Sequence, residues 1–455
     1  MNHDENVQKI PKRILNSLLL SVSAGVVPRM GAPYIAIGRK QEIAALLSDL
    51  EQVNEGCGTM RFLIGRYGSG KSFLMQLIRG YALERDFITA DADLSPERRL
   101  YGSSGSGVAT YRELMKNLAS KASPDGGAMP RMIGRWIDCL KQELITQGID
   151  MDSPVFADRL NCLAAEKLRD VEYMVGGFDF ARVITEYYRA FVSGDDDKKS
   201  ACLRWLRGEY TTKTEARGAL GFPVSVIIDD ENWYDFLKLW AVLVRFMGYR
   251  GLIVLIDECV NLYKITHRVS RENNYEKLLS MFNDTLQGRA PGLGLLFGGT
   301  PQFMDDPRRG LFSYEALKSR LCDSRYAMGE FQNWMGPVIR LKRLTDEELF
   351  ALLARITKLY SVYYGKAPGI TEEEMVRFLQ ISLARAGAEE MITPREMLRD
   401  YMTVLNILMQ NPGVSFERVM QASVQEKGET ECIASVPQNA ESIPKKIYTA
   451  EDIEF

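Results

Sequence analysis

The chain has 455 residues, of which 46% are apolar and 26% are charged, as in globular proteins long enough for two or three domains. A net charge of −3 excludes a global basic field that would attract nucleic acid, so any contact with DNA or RNA needs a local patch. The seven cysteines are scattered and there are only two histidines, which argues against a zinc site and favours a reducing compartment.

The N-terminal segment, residues 1–33, is predicted to contain an amphipathic helix. Lys12-Arg13 precedes an apolar stretch at residues 14–27, an arrangement that imitates a signal peptide. Polar side chains such as Asn16 and Ser21 interrupt this stretch, which is also too short to span a bilayer. We therefore expect a cytoplasmic protein, located where ATP is available.

A Gly38-Arg39-x-x-Glu42 element then opens a helix that is predicted to run to about Val53. The apolar residues before Gly38 can line an adenine pocket, and the glycine lets the backbone approach closely. Arg39 and Glu42 can brace this helix against the loop that follows it. Many AAA+ and STAND ATPases begin with a similar element, and the alternative interpretation is a plain helix start.

The stretch from Gly65 to Ser72 carries the pattern Gly-x-x-x-x-Gly-Lys-Ser without substitution. Gly68 and Gly70 permit backbone conformations in which successive N–H groups turn inward on a phosphate, and the helix that starts at Lys71 adds its unpaired N–H groups. Lys71 is predicted to reach the β- and γ-phosphates of ATP, and the Ser72 hydroxyl to ligate Mg²⁺. A strand before the loop and a helix after it favour this interpretation over a glycine-rich turn.

An apolar run that starts at Gly251 and ends in Asp257 and Glu258 predicts a central parallel strand, buried on both faces. Asp257 is placed to hold the hydration shell of Mg²⁺, and Glu258 to polarise the attacking water. The alternative is an acidic pair that caps a helix. A second strand is predicted at residues 86–94, and a helical insertion at residues 110–225 separates these two strands.

Farther along, Asp229-Asp230 is expected to cap a helix from Trp233 to Met247. Residues 292–299 predict a fourth strand, and Thr300 at its end matches the sensor 1 position of AAA+ proteins; the alternative is a strand cap. Arg320 ends a short helix at the position of an AAA+ arginine finger, which acts on the ATP of a neighbouring subunit. The alternative is a lone surface arginine.

A fifth strand is predicted at residues 337–341, and a capping box of Thr345 and Glu348 then opens a helical lid. In a later lid helix Arg395 follows a threonine N-cap and a proline, where AAA+ lids carry sensor 2; a solvent-facing arginine is the alternative. The predicted nucleotide-binding residues belong to the loop, its flanks and two helix starts: Gly38, Arg39, Gly65, Arg66, Tyr67, Gly68, Ser69, Gly70, Lys71, Ser72, Phe73 and Arg395.

These elements predict an α/β fold: a P-loop NTPase of AAA+-like type with a parallel five-stranded sheet, a large helical insertion and a C-terminal helical lid. The predicted domains follow the chain: an N-terminal helix (1–33), the first part of the P-loop core (34–109), the helical insertion (110–225), the second part of the core (226–343), the lid (344–420) and a flexible tail (421–455). The acidic and aromatic end of that tail, Tyr448 to Phe455, has the composition of a docking peptide.

Several segments, in order, resemble the ATP-binding proteins of BREX-type bacterial defence islands over most of residues 14–410. The resemblance implies an AAA+-like ATPase that acts against phage DNA, often encoded near a helicase. A more distant similarity to origin-recognition and helicase-loading proteins does not extend to their winged helix, for which little chain remains. The segments that carry the resemblance are residues 19–50, Arg61–Phe73, Asp93–Leu100, Gly248–Glu258, Gly298–Phe303 and Gly310–Leu321.

The favoured function is a Mg²⁺-dependent ATPase that switches or remodels a partner, a helicase or DNA, in antiviral defence. Self-association through the ATP site is expected from Arg320, and no membrane partner is expected. Pairs such as Arg308-Arg309 and Lys342-Arg343 predict at most weak, sequence-independent DNA binding. One alternative is a STAND-like switch that holds ATP or ADP and turns over rarely. Another is a small-molecule kinase, against which the acidic pair, Thr300 and the lid all argue.

Overall fold

The structure, a computed structural model, describes residues 10–102, 105–323, 333–385 and 393–425. The chain divides into two compact units. The first consists of Met1–Gln41, Arg66–Leu77 and Leu341–Phe455, and the second of Glu42–Gly65 and Ile78–Arg340. Two helices, α2 (Lys40–Asn54) and α3 (Lys71–Glu84), begin in the first unit and end in the second.

The second unit contains a sheet of five strands, all parallel, in the order β2-β3-β4-β1-β5. This confirms the predicted five-stranded parallel sheet, and the four strands whose bounds were predicted, β2 to β5, lie within about two residues of them. β3 and β4 are buried almost from end to end, as strands covered on both faces must be. The strands are β1 (Thr59–Ile64), β2 (Ile88–Asp93), β3 (Leu252–Asp257), β4 (Leu293–Gly299) and β5 (Val338–Arg340).

Helices fill most of the second unit between β2 and β3, where a helical insertion was predicted, and the last of them begins at Trp233, after the predicted end of that insertion at residue 225. Aromatic side chains form much of their core: the Phe180 ring meets the Trp240 ring edge-on at 5.2 Å, and Trp205 meets Phe236 at 5.5 Å. These helices are α4 (Ser106–Lys116), α5 (Met129–Thr146), α6 (Phe156–Glu172), α7 (Gly177–Ser193), α8 (Asp196–Leu206), α9 (Lys213–Leu220) and α10 (Trp233–Phe246).

Of the two residues expected to cap α10, only Asp229 meets its start, where Asp229 Oδ1 accepts hydrogen bonds from the Glu231 and Asn232 N–H groups at 3.0 and 3.1 Å. The expectation is wrong for Asp230, and the N-cap residue Asn232 makes no side-chain cap of its own. Asp230 instead accepts hydrogen bonds from the backbone N–H groups of Gly105 and Val108, at 2.7 and 2.8 Å. It thereby caps α4, whose own N-cap residue, Gly105, has no side chain to do so. Asp230 thus satisfies a helix that lies more than a hundred residues earlier in the chain.

Three short helices and one of 19 residues connect the later strands of the second unit. They are α11 (Val260–Tyr263), α12 (Arg268–Leu286), α13 (Pro301–Asp305) and α14 (Glu315–Leu321), with a 3-10 turn at Leu311–Ser313. Buried Asn274 on α12 accepts hydrogen bonds from the N–H groups of Leu100 and Tyr101 and donates one to the Tyr101 carbonyl. This amide fixes the segment that follows β2.

The first unit joins the N-terminal segment to the C-terminal helices through one apolar core. Leu15 and Leu18 of α1 (Lys12–Ser23) belong to the same buried cluster as Leu353 and Tyr401 from the end of the chain. The predicted amphipathic helix is therefore present, with its apolar face covered. The other helices are α15 (Asp346–Tyr364), α16 (Glu372–Arg385), α17 (Pro394–Gln410) and α18 (Phe416–Gln425), with a 3-10 turn at Ala32–Ile35.

Both predicted helix starts in this unit are confirmed. Thr345 and Glu348 form a capping box at α15, and Thr393 forms another with Glu396 at α17. The predicted tail begins too early, because α18 continues to Gln425; its remainder, residues 426–455, lies outside the described residues. Within the described ranges, every helix is too short or too polar to cross a bilayer.

Candidate nucleotide-binding site

The phosphate loop, residues 65–72, follows β1 directly and leads into α3. Gly68 and Gly70 have φ values of +75° and +90°, which side-chain-bearing residues rarely adopt. The Arg66 carbonyl accepts hydrogen bonds from the Ser69 N–H and from Lys71 Nζ, each at 3.1 Å. The loop is therefore closed on its own backbone, with the lysine folded across it.

Arg39 supports this loop within the first unit. Only 6% of the residue is exposed, and its guanidinium donates to the Ser69 carbonyl at 2.9 Å and to the Lys342 carbonyl at 2.7 Å. The prediction that Arg39 braces the loop is thus confirmed, and the contacts show how: the arginine holds the loop backbone. Glu42 is buried as well. Its predicted part in the bracing stays a prediction.

The start of α17 lies against the phosphate loop. A Cβ atom at Gly68 would overlap the side chain of Thr393, the N-cap of α17, so only glycine fits there. Arg395 is in the first turn of that helix and is exposed. Its Cγ lies 3.8 Å from the position that a Cβ at Gly25 would take. The helix that carries Arg395 thus starts at the loop, and the sensor 2 role of Arg395 stays a prediction.

Gly38 permits a second close approach in the first unit. It has a φ of +70°, and a Cβ atom there would overlap the carboxylate of Glu348. The closely approaching group is therefore the capping-box glutamate of α15. Whether Gly38 also contacts a nucleotide stays a prediction.

Ser69 provides a test of whether the loop suits a phosphate. The residue is only 6% exposed, and its hydroxyl has no hydrogen-bond partner among the described residues. Buried polar groups are almost always paired, and phosphate oxygens or the water molecules around Mg²⁺ would supply that partner. Together with the closed loop and Lys71, this hydroxyl fits a bound nucleotide phosphate.

The remaining loop residues have contrasting environments. Tyr67 is 80% exposed, and Arg66 is exposed beside it. Phe73, by contrast, packs on the apolar core of the first unit, and Ser72 is half-buried at the start of α3. The structure therefore leaves Arg66 and Tyr67 accessible, while their contact with ATP stays a prediction.

The carboxylate edge of the second unit consists of Asp93, Asp257 and Glu258, at the ends of β2 and β3. The Glu258 N–H donates to Asp257 Oδ1 at 2.8 Å, and Glu258 has a φ of +57°. A non-glycine residue in this left-handed region costs about 1–2 kcal/mol, and such strain is found preferentially at functional sites. The backbone thus turns sharply after Asp257 and leaves the Glu258 side chain exposed.

Asp93 is the residue of this edge that the sequence analysis missed. It pairs in register with Asp257 across β2 and β3. Asp93 is exposed at the end of β2, but partial desolvation there and the negative charges of Asp257 and Glu258 raise its pKa, although Arg98 opposes them. The sequence could have indicated Asp93, because an acidic residue at the carboxyl end of one parallel strand lies beside the end of the neighbouring strand.

Within the described ranges, no group of three or more histidine, cysteine or carboxylate side chains could hold a metal ion unaided. This is compatible with Mg²⁺ as a partner of ATP, since Mg²⁺ is usually held by one or two protein ligands together with substrate phosphates and water. That Ser72 and Asp257 ligate Mg²⁺ stays a prediction.

Thr300 follows β4 and is the N-cap of α13. Its Oγ1 accepts a hydrogen bond from the Phe303 N–H at 3.3 Å, which leaves the hydroxyl proton available to another acceptor. The strands β1, β3 and β4 run parallel, so Gly65, Asp257 and Thr300 follow strand ends at one edge of the sheet. In this structure Thr300 serves as a cap, and its sensor role stays a prediction.

Arg320 lies in the last turn of α14 and is exposed. Its Nη1 donates to the Ala316 carbonyl of the same helix at 2.7 Å. Arg309, which was paired with Arg308 as a possible DNA contact, donates to the Tyr263 and Ile265 carbonyls at 3.2 Å. That guanidinium is engaged inside the protein, so Arg308 is the exposed member of the pair.

Comparison with known families agrees with this geometry. The family model of BREX system ATP-binding protein BrxC/D matches residues 10–424. The chain belongs to this family. Membership implies an ATP-binding role in phage defence. This role agrees with a phosphate loop whose backbone Arg39 holds and in which the buried Ser69 hydroxyl has no hydrogen-bond partner among the described residues. A search of curated proteins found no match.

Proposed function

We propose that this family member is a Mg²⁺-dependent ATPase that switches or remodels a partner in phage defence. The observation that carries the proposal is the carboxylate pair at the end of the buried strand β3, Asp257 followed by Glu258 in a strained left-handed conformation. A protein that only binds ATP has no need of a second carboxylate in this unfavourable backbone conformation.

In the proposed reaction, ATP binds with its phosphates in the loop and its charge compensated by Lys71. Ser72 and Asp257 would hold Mg²⁺, which when bound would neutralise phosphate charge. Glu258 accepts the proton of the attacking water, and the Thr300 hydroxyl orients that water or the γ-phosphate. Arg320 acts on the ATP of a neighbouring subunit, which requires head-to-tail self-association.

Two substitutions test this reaction. We expect Lys71→Ala to abolish ATP binding in a fluorescent-nucleotide titration. Glu258→Gln should bind ATP normally and lose turnover, because only activation of the water is removed. Glu272→Gln is the matched control, since Glu272 forms an exposed ion pair with Arg268 at 2.7 Å. If Glu258→Gln hydrolyses ATP at the wild-type rate, Glu258 does not activate the water.

A second candidate, a switch that retains nucleotide, is favoured by the fit of Thr393 over Gly68. A helix start packed this closely on the loop would slow nucleotide release. The two functions separate in a single-turnover experiment: a switch keeps ADP bound long after hydrolysis, whereas a remodelling ATPase releases it and turns over repeatedly. Rapid release of ADP after one turnover would exclude the switch.

The partner proposals rest on family membership and on the sequence. We propose a helicase or another defence protein as partner, weak and sequence-independent contact with DNA, and a cytoplasmic location. We also propose that residues 110–225 form an inserted subdomain. Affinity purification from cells that express the neighbouring genes tests the first of these.

A further inference from the structure

Arg340, the last residue of β5, holds two carboxylates. Its Nη1 and Nη2 donate to the two oxygens of Asp305 at 2.9 and 2.8 Å, and its Nε donates to Asp323 Oδ2 at 2.8 Å. A bidentate pair with a third charged contact fixes both distance and orientation, which a single ion pair does not. We call Asp305, Arg340 and Asp323 the Arg340 clamp.

The clamp joins the two ends of the segment that carries Arg320. Asp305 is the last residue of α13, the helix that Thr300 caps, and Asp323 comes shortly after α14, where Arg320 lies. One guanidinium therefore ties the start and the end of residues 305–323 to the end of β5.

A second set of contacts fixes the start of this segment to the helix that follows Glu258. Asp306 accepts a hydrogen bond from the Tyr263 hydroxyl at 3.0 Å and from the Arg308 and Arg309 N–H groups. The Tyr275 hydroxyl donates to the Arg309 carbonyl at 2.6 Å. The far end of the segment, near Asp323, is held by Arg340.

Arg320 and Arg340 differ in what their guanidinium groups can still do. Three of the N–H donors of Arg340 face carboxylate oxygens within the protein. The exposed Arg320 contacts a carbonyl of its own helix. Arg340 therefore has the features of a residue that positions other groups. Arg320 has those of a residue that reaches a ligand outside its own chain.

We propose that Arg340 is a positioning residue for Arg320. The clamp sets the direction in which α14 presents its arginine, so loss of the clamp impairs the finger while the nucleotide site of the same chain stays intact. This inference rests on the proposed role of Arg320. The competing possibility is that Arg340 serves the nucleotide of its own chain, because Arg340 pairs in register with Ile64, just before the phosphate loop.

Subunit mixing separates these possibilities. Arg340→Ala alone should lower kcat about tenfold to a hundredfold with KM for ATP unchanged, the cost of a misplaced catalytic group. Mixed with Lys71→Ala, which supplies an intact finger, it should regain activity. Mixed with Arg320→Ala it should not, because every finger is then defective.

Other outcomes overturn the inference. Recovery with Arg320→Ala but not with Lys71→Ala would mean that Arg340 acts at its own nucleotide. No recovery in either mixture, when Lys71→Ala and Arg320→Ala do complement each other, would mean a purely structural role. If Arg320→Ala hydrolyses ATP like the wild type, Arg320 is not an arginine finger, and the inference about Arg340 is wrong. If Lys71→Ala and Arg320→Ala do not complement each other, Arg320 does not act on the ATP of a neighbouring subunit, and the inference is wrong for that reason.

Two further variants guard against a folding defect. Asp323→Asn removes one half-exposed partner and keeps the Asp305 pair, so the chain should fold while kcat still falls severalfold. Arg340→Lys keeps the charge but loses the two-pronged geometry, and it should rescue little activity. Arg268→Ala, which breaks an exposed ion pair within α12, is the control and should behave like the wild type. Full activity in Asp323→Asn and Arg340→Lys would contradict the clamp.

Discussion

The phosphate loop and the carboxylate edge obtain their geometry in different ways. The loop depends on glycine conformations and on side chains from distant parts of the chain, Arg39 and Thr393. The edge depends on the register of β2 and β3, which aligns Asp93 with Asp257 by continuous backbone pairing. Substitutions near the loop should therefore alter ATP binding, whereas those at the edge should alter chemistry and local stability.

The largest effect should come from Gly68→Ala. The added Cβ atom would overlap Thr393 and would occupy a backbone conformation that alanine disfavours, so ATP binding should weaken by roughly a hundredfold. Gly80→Ala is the control, because that helical glycine has open space around it. Combining Gly68→Ala with Thr393→Ser should recover part of the affinity in nucleotide titrations. Equal affinities of both alanine variants would show that the loop is not so constrained.

Removal of the brace should have a smaller effect. Arg39→Ala loses two charge-assisted hydrogen bonds to carbonyls, and we expect ATP affinity to fall roughly tenfold while kcat at saturation changes little. Arg39→Lys should be intermediate, since one ammonium cannot span both carbonyls as the guanidinium does. A fall in kcat with unchanged affinity would instead place Arg39 in the chemical step.

At the carboxylate edge, Glu258→Gly should separate stability from activity. Glycine relieves the left-handed strain, so the free energy of unfolding should rise by about 1 kcal/mol while hydrolysis is lost. Asp86, with a φ of +60°, is the matched position, because it precedes β2 and lies away from the carboxyl ends of the strands. Asp86→Gly should gain similar stability in chemical denaturation and keep full activity. Loss of stability in Glu258→Gly would show that the side chain is held by stabilising contacts.

The smallest expected effect concerns Asp93 and pH. Because partial desolvation and neighbouring carboxylates raise its pKa, the ionised form of Asp93 disfavours the folded state at neutral pH. Without Mg²⁺, Asp93→Asn should be slightly more stable than the wild type at pH 7. The difference should shrink as pH falls through the range in which Asp93 takes up its proton. A difference that grows on acidification would reverse the inferred sign.

What the sequence could predict depended on whether the signal was local. The five strands were predictable because each is a short, buried run, and the loop because its spacing is a chemical requirement. The capping boxes at Thr345 and Thr393 were equally local. The tail was placed too early because α18 is short and only one of its faces is apolar.

Features that depend on tertiary contact were missed. Asp230 caps a helix far away in the chain, and only the fold shows that Gly105 lacks a cap of its own. Thr393 lies against Gly68, and Arg340 binds Asp305. In both cases the separation in sequence does not indicate how close the residues are in space. Asp93 needed the register of β2 against β3.

The interleaving of the two units along the chain has a consequence for synthesis on the ribosome. Arg39 and the phosphate loop are made early, but Thr393, which completes their surroundings, is made last. At about 5–20 residues per second, that interval lasts roughly 20–70 s, during which the apolar face of α1 has no covering helices. A chain that stops before α17 would therefore lack Thr393 beside its phosphate loop, and ATP binding would report that translation has reached this helix.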